Sequence, residues 1–309
     1  MRPGSIMIGL PIAQAVALAQ PLPGPAQEND AEDIVVTATR LDPQQFRQRA
    51  VEFVARTGVA NRQLQVARWI VPVCIKVLGV TDPQATKVKN VMHGIARQVD
   101  VPIAEAGCRT NVTVTFASDA RLIVRHVYAR QPQQLRRLSP SKREQLLNGM
   151  EPVRWWYASR NLDRNGVQSN GSTVHFVAPG GEEHISTLPT SDGATITQQH
   201  NGGSNIQTPT VRSLSSVNVV VDAGRADETP ITSIAAYLAM IAFAEIDAAT
   251  PPSDSILGLF QSNGRRLFLT DWDLGFLKSL YRLPLDRRSR IQRGHLVNGL
   301  LRERLSKGN

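Results

Sequence analysis

The amino-acid sequence predicts an α+β fold, a mixed sheet packed against helices. Two patterns point there. Short β-branched segments such as Asn111-Val112-Thr113-Val114-Thr115-Phe116 are interleaved with apolar stripes at helical spacing, such as Val88, Val91, Met92, Ile95, Ala96 and Val99. Their order is irregular and no internal repeat accompanies it, which favours α+β over a regularly alternating or repeat architecture.

The folded part is preceded by an address. Arg2 stands before an apolar run from Ile6 to Leu18, and Ala17-Leu18-Ala19 offers small residues where a signal peptidase cuts. Residues 1–19 therefore read as a secretory signal cleaved after Ala19. The run is too short, and too broken by Pro11 and Gln14, to span a bilayer. The expected location is periplasmic or secreted. Residues 20–45, rich in Pro, Gln and acids, read as a disordered tether. Within it, Ile34-Val35-Val36-Thr37-Ala38 resembles the TonB box of outer-membrane receptors, which adds a strand to a partner's sheet edge. No β-barrel of the necessary length follows, so a receptor is excluded and the resemblance implies only a strand-addition partner.

A single domain is expected over residues 46–309. Asp42 and Pro43 cap a helix whose inward positions are Phe46, Ala50, Phe53 and Val54, and Gly58 ends it. Trp69 to Val80 reads as a strand, and Asp82-Pro83 opens a helix running to about Val99. After the strand at 111–116, Asp119 caps a helix through Ala120, Ile123, Val124 and Val127. A short helix then ends near Gly149, and Val153 to Ala158 forms an aromatic strand.

Residues 163–212 are rich in Gly, Ser, Thr and Asn. They read as a polar hairpin insertion, with strands at Thr173–Val177 and His184–Leu188 and a mobile flap to Pro209. Val217 to Val221 is an apolar strand ending at Asp222. Thr229-Pro230 starts an apolar helix to Ile246, which falls short of bilayer length and carries Glu245. Ile256 to Phe260 makes a helical turn. Thr270-Asp271-Trp272-Asp273 is a capping-box-like start to a helix that turns Leu274, Leu277, Leu280 and Tyr281 inward. After Pro284 a last amphipathic helix buries Val297, Leu300, Leu301 and Leu305, which completes a basic helical region over 271–306.

The two cysteines, Cys74 and Cys108, are expected to form a disulfide in an exported chain. Formal charge is +9, and the excess gathers at the C-terminus, where nine basic residues from Lys278 to Lys307 face only Asp286 and Glu303. Such a patch suits an anionic envelope component or a membrane surface, with Arg287, Arg288 and Arg290 as contacts. Nucleic acid is not an expected partner, because no aromatic-interleaved basic motif accompanies the charge.

Several segments carry a family resemblance: Pro72-Val73-Cys74, Gly107-Cys108, Val153-Arg154-Trp155-Trp156-Tyr157, Val220-Val221-Asp222, Ala236-Tyr237-Leu238-Ala239-Met240 and Leu269-Thr270-Asp271-Trp272-Asp273. Together they resemble an uncharacterised family of exported alphaproteobacterial proteins, which implies export but no activity. The layout also resembles, more distantly, zinc-peptidase-like (zincin-like) domains, where a helix after a strand carries His-Glu-x-x-His. Here that helix offers Ile234, Ala235, Ala236, Tyr237, Leu238, Ala239 and Met240. Hydrocarbon cannot hold zinc or act as a base, so the centre implied by the resemblance is missing.

The remaining candidates are sparse. His175, His184 and His200, with Glu182 and Glu183, form the candidate zinc constellation in the insertion, His175 and His184 being expected side by side across Pro179-Gly180-Gly181. Trp155 and Tyr157 share one face of their strand and suit either a binding platform or core. Asp222 stands where ligands approach strand ends, or where a carboxylate caps a turn. The expectation is therefore a non-catalytic binding or accessory protein, free of cofactor and partnered by an envelope protein or anionic envelope component. The alternatives are a hydrolase, zinc-dependent or not, centred on the flap, and a polyanion binder.

Overall fold

Residues 42–59, 64–136, 138–163, 207–208, 210–261 and 266–305, with the backbone of 173–177 and 183–187, are described by the structure, a computed structural model. Residues 1–41, which hold the leader and the tether up to Leu41 with Ile34–Ala38, and His200 lie outside these residues, whereas Pro43–Gln45 at the expected end of the tether are helical.

Helix α1 (Pro43–Arg56) begins on its first-turn proline and buries Ala50, Phe53 and Val54. Gly58, at φ +71°, then turns the chain under the Asp247 carbonyl, where a Cβ would come within 2.3 Å of the oxygen. Strand β1 (Ile75–Leu78) is shorter than the strand expected over Trp69–Val80. Pro72 has no N–H to give, Arg68 and Val73 make only isolated bridges, and Gly79 turns away at φ +80°. Helix α2 (Asp82–Gln98) starts one residue earlier than expected, its cap being Thr81 in a capping box with Gln84 rather than Asp82. Strand β2 (Val112–Ala117) follows with the alternating burial its sequence implied.

Three short helices come next: α3 (Ala120–Arg130), capped by Asp119, α4 (Gln133–Arg136), and α5 (Pro140–Asn148), capped by Ser139. Strand β3 (Val153–Asp163) outruns the aromatic segment. The hairpin β4 (Thr173–Val177) and β5 (Glu183–Thr187) forms a separate two-stranded sheet. Strand β6 (Thr210–Asp222), the turn α6 (Ala223–Ala226) and helix α7 (Ile231–Phe243) lead through a 3-10 turn at Ile256–Gly258 to α8 (Asp271–Tyr281) and α9 (Ser289–Leu305).

The fold is α+β, with a mixed four-stranded sheet in the order β1-β2-β6-β3. The first three strands are parallel, the β1-to-β2 connection passing through α2, and β3 runs antiparallel to β6 at the edge. Strands β3 and β6 stay paired out to Asp163↔Thr210, so they bracket the polar insertion in sequence.

Side-chain alternation divides the sheet between two cores. Val112, Val114, Val217, Val219, Val221 and Val153 face the main core with α1, α2, α7, α8 and α9, whereas Val220 and Trp156 face a smaller core with Ala120, Val124, Leu135 and Leu146. Cys74 and Cys108 are bonded, their Cα atoms 6.0 Å apart, tying the entry to β1 to the loop before β2. Closing that loop stabilises the fold by about 4 kcal/mol in the chain-entropy view. Among the described residues no helix is long and apolar enough to cross a membrane.

Candidate functional site

Helix α7 is the helix on which a zincin-like layout would carry its metal ligands. From Ser233 to Phe243 every residue is buried, and Leu238, Met240, Ile241 and Phe243 are wholly so. Each such side chain contributes about 1.5–3 kcal/mol by leaving water. A helix sunk this deep cannot hydrate its last carbonyls, and the extended Ala244 provides no glycine cap.

Aromatic donors from three other elements fill that need. Tyr157 Oη donates to the Ile241 carbonyl at 2.8 Å, Trp69 Nε1 to that of Ala242 at 2.8 Å, and Tyr281 Oη to that of Phe243 at 2.9 Å. Just beyond, Trp155 Nε1 donates to the Ile246 carbonyl at 3.1 Å, and the Ile246 N–H donates to Tyr157 Oη at 3.1 Å. Burial pushes the Tyr157, Tyr237 and Tyr281 phenols above their ordinary range and so holds their protons in place. The Trp155 ring meets Tyr237 edge-on at 6.3 Å, and Tyr237 meets Phe260 at 5.2 Å. Trp155 and Tyr157 therefore face the main core, with their polar atoms committed to the end of α7.

The ionisable groups nearby are likewise engaged. Glu245 accepts two bonds from the Arg212 guanidinium, one at 2.7 Å, while burial raises its carboxyl above the ordinary range against the pull of that partner. Asp273, wholly buried, accepts from Ser255 Oγ at 2.5 Å and from the backbone N–H groups of Ile256 and Thr270 at 2.8 and 2.9 Å. Burial pushes it upward as well, and its role is to pin the 3-10 turn to the start of α8. Asp222 accepts from the Ala120 and Arg225 N–H groups, both at 3.2 Å, so it caps two helical starts. Beside it, Arg154 is 2% exposed and donates to the Gly149 and Glu151 carbonyls, with its Nε unpartnered among the described residues.

The outer edge of β3 offers a different kind of surface. The Asp222 N–H bonds the Pro152 carbonyl at 2.8 Å, which sets the phase of the antiparallel ladder. Even-numbered residues from Arg154 to Ala158 bond β6, so the backbone groups of Val153, Trp155 and Tyr157 point to the free edge. Lys142 crosses this edge. It starts on α5, against one face of the sheet, and its Nζ lies 5.2 Å from the Trp155 ring and 3.5 Å from Asp247 on the other. A bulge at Ala158/Ser159 lies further along the edge, and both devices blunt an exposed strand.

The other candidates are dispersed. The β4/β5 register sets His175 opposite Ile185 and His184 opposite Phe176, so the two histidines are not cross-strand partners. No group of three potential metal ligands occurs among the described residues. Arg287 is tied to Asp286 at 2.8 Å and through its carbonyl to Gln65, whereas Arg288 and Arg290 are exposed at the start of α9. Sequence reasoning missed Trp69, Tyr281 and Lys142. The available signal was a buried helix with no glycine after it, whose carbonyls required outside donors. Comparison with known proteins finds no family model, curated protein or solved structure that matches the chain.

Proposed function

We propose that this chain is an exported, non-catalytic binding or accessory protein on a degenerate peptidase-like layout, and that its ligand is an extended polypeptide segment seated along β3. One observation carries the reading: the helix that would bear a hydrolytic centre is filled with hydrocarbon, while the strand beside it turns a row of backbone groups to an edge where no strand pairs with them among the described residues. Added strands gain main-chain hydrogen bonds without demanding a sequence, which suits a protein with no polar pocket on that helix. Lys142 then acts as a gatekeeper that must swing aside for the ligand.

Selection of random octapeptides on the purified mature chain, followed by amide hydrogen exchange, tests this. Bound peptides should protect the amides of Trp155 and Tyr157, and Lys142→Ala should bind them more tightly. Protection confined to other elements would overturn the reading.

A further inference from the structure

Helices α8 and α9 pack side by side, yet between the end of α8 and the middle of α9 a cavity of about 360 Å³ stays open. Gly299 is the reason on one wall. Its Cβ position lies 2.7 Å from Ser279 Oγ, so the backbones close there and leave no side chain to fill the space alongside. His295, Gly299 and Arg302 recur at helical spacing and line that wall, and Arg282 with Ser279 lines the other.

The charges in this cavity are unevenly committed. Glu303, its carboxylate, is held by Arg282 and faces Lys278 at 3.9 Å, and Arg282 also faces Asp100 at 3.9 Å. Arg302 and His295 have no hydrogen-bond or ion-pair partner among the described residues, and both are exposed. One guanidinium and one imidazole thus line a concave, solvent-open space, beside a second guanidinium that is paired with Glu303, the one carboxylate among the described lining residues.

We propose that this cavity is a binding site for a small phosphate-bearing molecule, held by Arg302 and His295 with Arg282 alongside. The planar guanidinium fork matches the oxygens of a phosphate, and imidazole adds a further donor. A dianion is preferred over a monocarboxylate, since the ligand must outweigh the Glu303 charge and the weakly negative end of α8. The size fits a compact metabolite rather than a polymer, because cavities for small ligands begin at about 300 Å³. This site lies on elements that the β3 reading does not use, so either can fail alone.

Calorimetric titration of the mature chain with inorganic phosphate and with glycerol 3-phosphate provides the test. Saturable binding is expected, weakened roughly tenfold or more in Arg302→Ala, as befits a lost charge-assisted pair. His295→Gln should weaken it less. Arg290→Ala removes the same charge from an exposed position outside the cavity and should change affinity less than about twofold. Circular dichroism of each variant confirms that it is folded, and the exposed Arg302→Lys substitution, which keeps the charge but loses the fork, should still bind more weakly than wild type. No saturable binding at millimolar ligand, equal losses in Arg290→Ala and Arg302→Ala, or association only with vesicles containing phosphatidic acid would each overturn the proposal.

Discussion

Helices α7 and α9 are both rich in aliphatic residues, yet they occupy opposite ends of the range of burial. Helix α7 is enclosed on all sides and has even its terminal carbonyls satisfied by other elements. Helix α9 buries Leu296, Val297 and Leu300 on one stripe and leaves Arg290, His295 and Arg302 in solvent. The difference shows where chemistry can reside in this molecule. Among the described residues, the buried stretch of α7 is given over to packing, whereas the sheet edge and the α8/α9 rim present polar and charged groups to solvent.

Substitutions should separate the two helices sharply. Phe243→Ala removes a wholly buried ring from α7 and should cost about 3–5 kcal/mol in chemical denaturation, against less than about 0.5 kcal/mol for Arg290→Ala on α9. A loss for Phe243→Ala comparable to that for Arg290→Ala would erase the distinction. Tyr281→Phe deletes only the hydroxyl that caps the Phe243 carbonyl, and about 1–3 kcal/mol should be lost because a buried acceptor is left bare. Ser233 sharpens the contrast from the other side. Its hydroxyl is buried in the first turn of α7 without a partner among the described residues, so Ser233→Ala should raise stability by about 1 kcal/mol or leave it unchanged. A marked loss of stability would mean that the hydroxyl makes a bond the fold depends on.

Titration distinguishes surface from interior in the same way. Hydrogen bonding by Arg121 holds the Asp119 carboxyl at about 2, below its ordinary value of 3.8. Its contribution is therefore complete above the ordinary value and is lost as the pH falls through about 2. The buried carboxyls of Glu245 and Asp273 are shifted upward, so their contribution runs the other way and weakens as the pH rises past the ordinary carboxylate range. Denaturation of Asp119→Asn followed from pH 5 to pH 2 should accordingly show a shallower acid limb than wild type.

What the sequence reveals follows the same division. The extents of α1 and α2 were legible because first-turn prolines are local signals, and the pairing of Cys74 with Cys108 because the chain holds two cysteines. The excess length of β3 and β6 was not, since Arg160, Asn161, Ser213 and Ser216 carry little β signal and become strand only through their cross-strand partners Ser213, Arg212, Arg160 and Ala158. Conversely, the β-branched run from Trp69 was overread, because a strand needs a neighbour and only Ile75–Leu78 has one along its length. The clamp on α7 was hidden by distance. Trp69 and Ala242 are 173 residues apart, and no pattern in either segment announces the other. The wall of His295 and Arg302 was not read from the sequence, because their helical spacing marks a site only once α8 faces it.

The central proposal is that the chain is a non-catalytic binding or accessory protein. It is tested most directly by incubating the purified mature chain, supplied with zinc, with unstructured peptide substrates and following cleavage. The account predicts no cleavage that depends on a single side chain of the protein. Turnover abolished by one substitution, at His175, His184 or any residue of α7, would contradict it.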